Sequence, residues 1–353
     1  VFPIFFYLLS NSIKISSILQ PLWFSYLILL TIFVGFRYNV GGDWIIYDEY
    51  FNLINSTNDI FKTEIGSILS ANTEFGYDFI ILLFKTFGLD IVHLNLFLSI
   101  IFFLSLIFFF NILDNKYLAI IISFPFAILL LGMGFQRQAI SFSFLLFAVY
   151  YLSKDKKNIF YLFLILGIFF HKSLIIFIFY YFFEKLKNIS SLFSKNSIII
   201  LSILIIFLFI FRQNFLSLID IYLLDQSKEF EPSKGAYYRI FPSFISAIIY
   251  LYFYKNLNYS NDIKSFFLYL TFISIFTSII MIILPTFADR LNLYLLPLQI
   301  FVFTNIITIS GLKKYSIIIE LAIISFYFLF LLVWLTFATH RQFWIPYNNY
   351  LFQ

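Results

Sequence analysis

Cysteine is missing from all 353 residues. No disulfide, thiolate nucleophile or thiolate metal site can therefore form. Charge is scarce: 12% of residues are Asp, Glu, Lys or Arg, about half the share of a soluble domain. No soluble domain of useful size fits this composition. Glycine and proline number only 11 and 8, and no internal repeat is visible. A transporter built from repeated, broken helices around a midplane site would show both. The net charge of +5 sits on lysines scattered over short loops. That pattern does not suggest nucleic acid and matches the positive-inside rule.

What remains is apolar sequence. Hydrophobic residues make up 62% of the chain, and runs long enough to cross a bilayer recur from end to end. The predicted fold is all-α: one transmembrane domain over 1–353, a polytopic bundle of about a dozen helices. The apolar start is expected to be retained as a span, with no cleaved signal peptide. Lysine-bearing loops set the topology. The N-terminus falls outside, and external loops are expected at about 37–75 and 212–238. Gly76–Asp90, broken by Lys85, Gly88 and Asp90, is predicted to be an interfacial or re-entrant helix. Leu118–Leu131 and Ile140–Leu152 are expected to cross on either side of Arg137. Ile159–Phe170 and Leu174–Phe183 are each too short to span, so they predict a hairpin whose tip leaves His171 in a depression. His340–Gln353 is expected as a short external tail.

This topology separates the two basic residue types. Twelve of the lysines fall on the cytoplasmic side, while all six arginines, Arg37, Arg137, Arg212, Arg239, Arg290 and Arg341, fall outside. Orientation alone does not explain the split, because the positive-inside rule treats both residues alike. A guanidinium differs in its planar fork, which grips phosphate bidentately and keeps its charge when partly desolvated. Arginines at the outer ends of apolar helices could simply snorkel to headgroups. Arg37, Arg137 and Arg290 together point instead to a pyrophosphate-bearing lipid held at the external face.

The companions of these arginines also lie outside. Asp43 follows Arg37 across a Gly41-Gly42 pair that admits close backbone approach. Glu74 precedes the interfacial helix, where the helix dipole alone would favour a carboxylate. His171 ends a Phe-rich run and could be no more than a satisfied membrane histidine. Asp289-Arg290 could be a local ion pair. Asp43, Asp48 and Glu49 could in principle hold a divalent cation, but no partner at metal-ligand spacing accompanies them. No metal and no cofactor is therefore expected. Glu320 falls near a cytoplasmic helix end and is expected to be structural.

Taken in order, Phe36-Arg37-Tyr38-Asn39-Val40-Gly41-Gly42-Asp43 with Tyr47, Glu74-Phe75-Gly76-Tyr77, Phe135-Gln136-Arg137-Gln138-Ala139 and Phe170-His171-Lys172-Ser173 resemble the EpsG family, which includes Wzy-type O-antigen and exopolysaccharide polymerases. The motifs cover the first half of the chain, and the second half is similar in hydropathy alone. Gly42 and Lys172 depart from the family's usual residues. The resemblance implies a metal-independent integral-membrane glycosyltransferase of the GT-C class, in the bacterial inner membrane with its active site facing the periplasm. Growing glycan on undecaprenyl pyrophosphate would be the donor and a lipid-linked repeat unit the acceptor. A chain-length regulator protein is a possible partner. On this reading Arg137 and Arg290 hold the diphosphate, with Arg37 and Arg239 as second choices. Asp43, Glu74 and His171 are candidates for the general base. Two other classes stay open: a lipid-linked oligosaccharide flippase, and a membrane acyltransferase using His171.

Overall fold

The computed structural model describes residues 16–55, 74–185, 235–309 and 311–352, with residues 3, 4 and 7 ahead of them. Everything stated below concerns these residues. The expected span Ile198–Phe211, and the expected loop 212–238 except its last four residues, lie outside them.

Twelve helices follow in order: α1 (Ser16–Gly35), α2 (Trp44–Leu53), α3 (Phe75–Thr86), α4 (Ile91–Phe110), α5 (Lys116–Gly134), α6 (Gln136–Ser153), α7 (Lys157–Ile168), α8 (Tyr180–Lys185), α9 (Ala236–Phe253), α10 (Asn261–Ile280), α11 (Pro285–Thr308) and α12 (Ser316–Phe337). No strand occurs among the described residues. Helices α4, α5, α10, α11 and α12 are long and apolar enough to cross a membrane. This is the all-helical membrane bundle that the hydropathy predicts. Helices α5 and α11 are almost wholly buried and form its centre. The long apolar face of α12 is almost wholly exposed, as a lipid-facing helix would be.

Local chemistry sets the boundaries. Asp90 caps α4, its carboxylate accepting from the amides of Val92 and His93 at 3.0 and 3.1 Å. Asn115 caps α5 through the Leu118 amide at 2.9 Å. Proline has no amide hydrogen to give a helix ladder. Pro125 stands at the start of a π-helical stretch inside α5, Phe124–Leu131. Helix α3 has 12 residues and is about 18 Å long, well short of a hydrocarbon core of about 30 Å. Helix α7 turns back at His171 into a 3-10 segment, Lys172–Phe179, and then α8, giving a hairpin with His171 at its tip.

Antiparallel connection sorts the charges to two ends. At one end Lys157 of α7 bonds Glu184 of α8, and Asp262 of α10 at 3.0 Å. Glu320 accepts from the Tyr7 hydroxyl at 2.5 Å, a packing contact of the kind expected for it. At the other end the start of α6 meets α3, α11 and the hairpin tip, and here the arginines gather.

Two elements of that arginine end go beyond the sequence reading. The stretch 37–75, expected as a loop, contains α2, whose Trp44, Tyr47, Tyr50 and Phe51 are buried. The expected external tail is bound to the chain. Phe343 O accepts from the Gly41 amide at 2.8 Å, Asn348 O from Tyr38 at 3.1 Å, and Phe36 O from Tyr350 at 2.8 Å. Backbone pairing of this kind leaves no trace in side-chain patterning, so nothing in the sequence announces how the tail is fastened.

Candidate active site

The first wall is the loop ahead of α2. Gly41 has φ +115°, and a Cβ there would lie 2.3 Å from Met133 O. Only glycine lets this loop press against the end of α5, carrying Asp43 toward Arg137 in the first turn of α6. The second wall is α3. The Gly76 amide donates to Phe169 O at 2.8 Å, and a Cβ on Gly76 would lie 2.9 Å from that oxygen. This close contact brings Glu74 onto the hairpin tip, where its Oε1 accepts from the Lys172 amide at 3.3 Å.

Arg137 stands between the walls in the first turn of α6. Its Nε is 3.7 Å from Glu74 Oε2, and its guanidinium donates to the Tyr47 hydroxyl. Asp43 is half-buried with Arg290 and Arg137 as its charged neighbours. Arg290 lies over the Phe135 ring at 4.4 Å, and Gln138 Nε2 donates to the Arg290 carbonyl at 2.7 Å. The His171 Nδ1 and the Tyr294 hydroxyl are 3.0 Å apart. The Tyr77 hydroxyl donates to Gln136 at 2.6 Å, and that of Tyr50 to Asp78 at 2.6 Å. The site is thus assembled from stretches around residues 43, 74, 137, 171 and 290.

Two other arginines are turned elsewhere. Arg37 is 2% exposed. Its Nη1 donates to Val34 O at 2.7 Å, its guanidinium lies 5.7 Å from the Trp44 ring centre, and it borders a small cavity with Asn95, Ser99 and Gln136. Arg239 grips Asp289 with two parallel bonds, Nε to Oδ1 at 2.8 Å and Nη2 to Oδ2 at 2.6 Å. Asp289 therefore pairs with Arg239 of α9, where the sequence suggested its neighbour Arg290.

Burial and charge oppose each other here. Burial pushes the Glu74 carboxyl up to about 7, although Arg137 and Lys172 favour its ionised form. Burial also raises Asp43, against the pull of Arg290 and Arg137. His171 is held well below its ordinary range, first by burial and then by Arg137, Arg290 and Lys172. Its imidazole is neutral at pH 7.

Sequence reasoning did not single out Asp78 or Trp344. Asp78 is fully buried, four residues after Glu74, a spacing that shares one helix face and could have drawn notice. Trp344 touches the backbone behind the site, and no sequence signal announced it. Among the described residues no group of three or more His, Asp or Glu could hold a metal ion.

No curated protein and no solved structure matches this chain. The model of the EpsG family matches residues 21–349, nearly the whole length, so the chain belongs to the EpsG family, a group of polysaccharide-polymerase-type membrane proteins.

Proposed function

We propose that the protein is a Wzy-like, GT-C-type polysaccharide polymerase of the bacterial inner membrane. It transfers a growing glycan from undecaprenyl pyrophosphate to a lipid-linked repeat unit at the periplasmic face. The observation that carries this reading is the meeting of Arg137 and Arg290 with Asp43, Glu74 and His171 at the end of the bundle opposite the Lys157 cluster.

The reaction has two electrostatic demands. An acceptor hydroxyl oxygen attacks the anomeric carbon, and the bond from that carbon to the diphosphate oxygen breaks, its electron pair leaving with the diphosphate. Arg137 and Arg290 receive the growing negative charge, fixed in place before the reaction starts. Arg137 is braced by Tyr47, and Arg290 by Phe135. Glu74 takes the proton of the acceptor hydroxyl. A carboxylate near 7 is ionised often enough to act, and basic enough to be effective. Asp43 holds the two arginines toward each other, and neutral His171, bonded to Tyr294, is the second candidate for the base. Arg37 packs on Trp44, the residue after Asp43, and Arg239 holds Asp289, the residue before Arg290. No metal step is invoked, because the guanidinium groups supply the positive charge a leaving diphosphate requires.

Reconstitution tests this directly. Purified protein in liposomes with the lipid-linked repeat unit is expected to produce a ladder of longer lipid-linked glycans, and to keep doing so in EDTA. Movement of unchanged repeat units across the bilayer without a ladder would replace the polymerase with a flippase. A ladder lost in EDTA and restored by magnesium would shift the diphosphate onto a metal held by Asp43, Asp48 and Glu49.

A further inference from the structure

The C-terminal tail reaches the site through one side chain. Trp344 is 8% exposed, and its Nε1 donates to Leu129 O at 3.3 Å. That carbonyl lies inside the π-helical stretch of α5, where the widened ladder alters the usual helical pairing. The indole also packs against Trp334 of α12, with ring centres 5.0 Å apart.

Its six-membered ring meets two glycines. A Cβ on Gly42 would lie 3.5 Å from Trp344 Cη2, and a Cβ on Gly134 would lie 3.3 Å from Cζ2. Gly42 immediately precedes Asp43, and Gly134 stands three residues before Arg137. A single rigid ring therefore packs against the glycine one residue before Asp43 and the glycine three residues before Arg137. The tail that carries it is secured on either side. Phe343 O holds the Gly41 amide, the Tyr347 hydroxyl donates to Phe33 O at 2.5 Å, and Asn349 bridges to Arg37.

We infer that Trp344 is a positioning residue, a spacer that sets the separation of Asp43 and Arg137 by filling the gap between Gly42 and Gly134. It touches neither substrate nor the reacting atoms. It acts through the placement of Arg137 against the leaving diphosphate. A misplacement near 1 Å at a reacting centre costs about a hundredfold in rate, so a spacer of this kind governs turnover more than substrate affinity. The inference rests on the polymerase reading of the site.

The test uses purified full-length protein and the lipid-linked repeat unit, and compares single and paired variants. Trp344→Ala is expected to lower kcat by about 10- to 100-fold with KM near that of the wild type. In an Arg137→Lys background the same change is expected to cost little more, because the residue it positions is already compromised. Equal losses in both backgrounds would show general destabilisation and overturn the inference.

Gly134→Ala gives a second route should Trp344→Ala not fold. The added methyl presses on the indole, 3.3 Å from Cζ2, and is expected to lower kcat. Trp344→Phe, a smaller ring, is expected to restore much of that loss. A Gly134→Ala defect that is the same with Trp344→Phe as with tryptophan would also overturn the inference. Wild-type protein that makes no polymer would defeat the polymerase reading itself, whereas an active wild type with additive variants defeats only the role of Trp344.

Discussion

Glu74 carries the sharpest expectation at the scale of a single residue. Burial lifts its carboxyl from 4.5 to about 7. A general base works when ionised, so kcat/KM is expected to climb as pH rises through about 7 and then to level off. Glu74→Gln should remove that limb and lower turnover by about 100- to 10,000-fold, the usual contribution of a positioned base. Stability runs the other way. The folded protein holds this proton more tightly than the unfolded chain, so Glu74 supports the fold below 4.5, and that support is lost as pH rises through about 7. Glu74→Gln should therefore gain in thermal stability, relative to the wild type, between pH 5 and pH 8. A rate limb that persists unchanged in Glu74→Gln would move the base to Asp43 or His171. The charged residues themselves were legible in the sequence, because an arginine or carboxylate beside apolar spans is costly without a purpose. Their individual geometries were not. Arg37 and Arg137 look alike in the sequence, yet Arg37 bonds Val34 O and packs on Trp44, while Arg137 stands between Tyr47 and Glu74. Neighbours distant in the chain decide that difference.

At the scale of the element, two glycines separate backbone strain from packing. Gly41 and Gly88 both have positive φ, at +115° and +67°, but only Gly41 has an oxygen where its Cβ would go. Gly88→Ala is expected to cost about 1–2 kcal/mol from conformation alone. Gly41→Ala should cost distinctly more and also shorten the glycan ladder, since it pushes the Asp43 loop away from the end of α5. Thermal unfolding in detergent with the ladder read in parallel checks both, and equal destabilisation with an intact ladder in each would remove the Gly41 contact from the account. The helices themselves were largely visible beforehand. The shortness of α3 followed from Lys85, Gly88 and Asp90, and the hairpin at His171 from two arms too short to cross. Helix α2 and the tail were hidden for a different reason. α2 is a ten-residue helix in a stretch whose polar residues suggested a loop, and the tail is fastened mainly through backbone groups that every sequence possesses.

Across the whole molecule positive charge divides largely by type: Lys157 sits at one end of the bundle with Glu184 and Asp262, whereas Arg37, Arg137, Arg239, Arg290 and Arg341 gather at the other, with Lys172 among them. The absence of cysteine makes this separation easy to probe, because each introduced cysteine is unique. Cysteines at Lys156 and Lys314 should be shielded from an impermeant thiol reagent in intact spheroplasts, and cysteines at Glu49 and Asn348 should label. Labelling at Lys156 would invert the bundle and place the arginine end in the cytoplasm. On the proposed function the arginine end would stabilise a leaving diphosphate, with Arg137 as its main contact. A lipid headgroup attracts lysine and arginine alike, whereas a diphosphate held by a planar fork does not accept a point charge as an equal substitute. The decisive measurement is the glycan ladder from cells carrying Arg137→Lys, normalised to the amount of protein in the membrane. The expected outcome is a normally inserted protein that has lost most polymerisation, a fall of about 100- to 1000-fold in rate for a lost transition-state contact. A ladder of normal length from Arg137→Lys, with Arg290→Lys also normal, would contradict it.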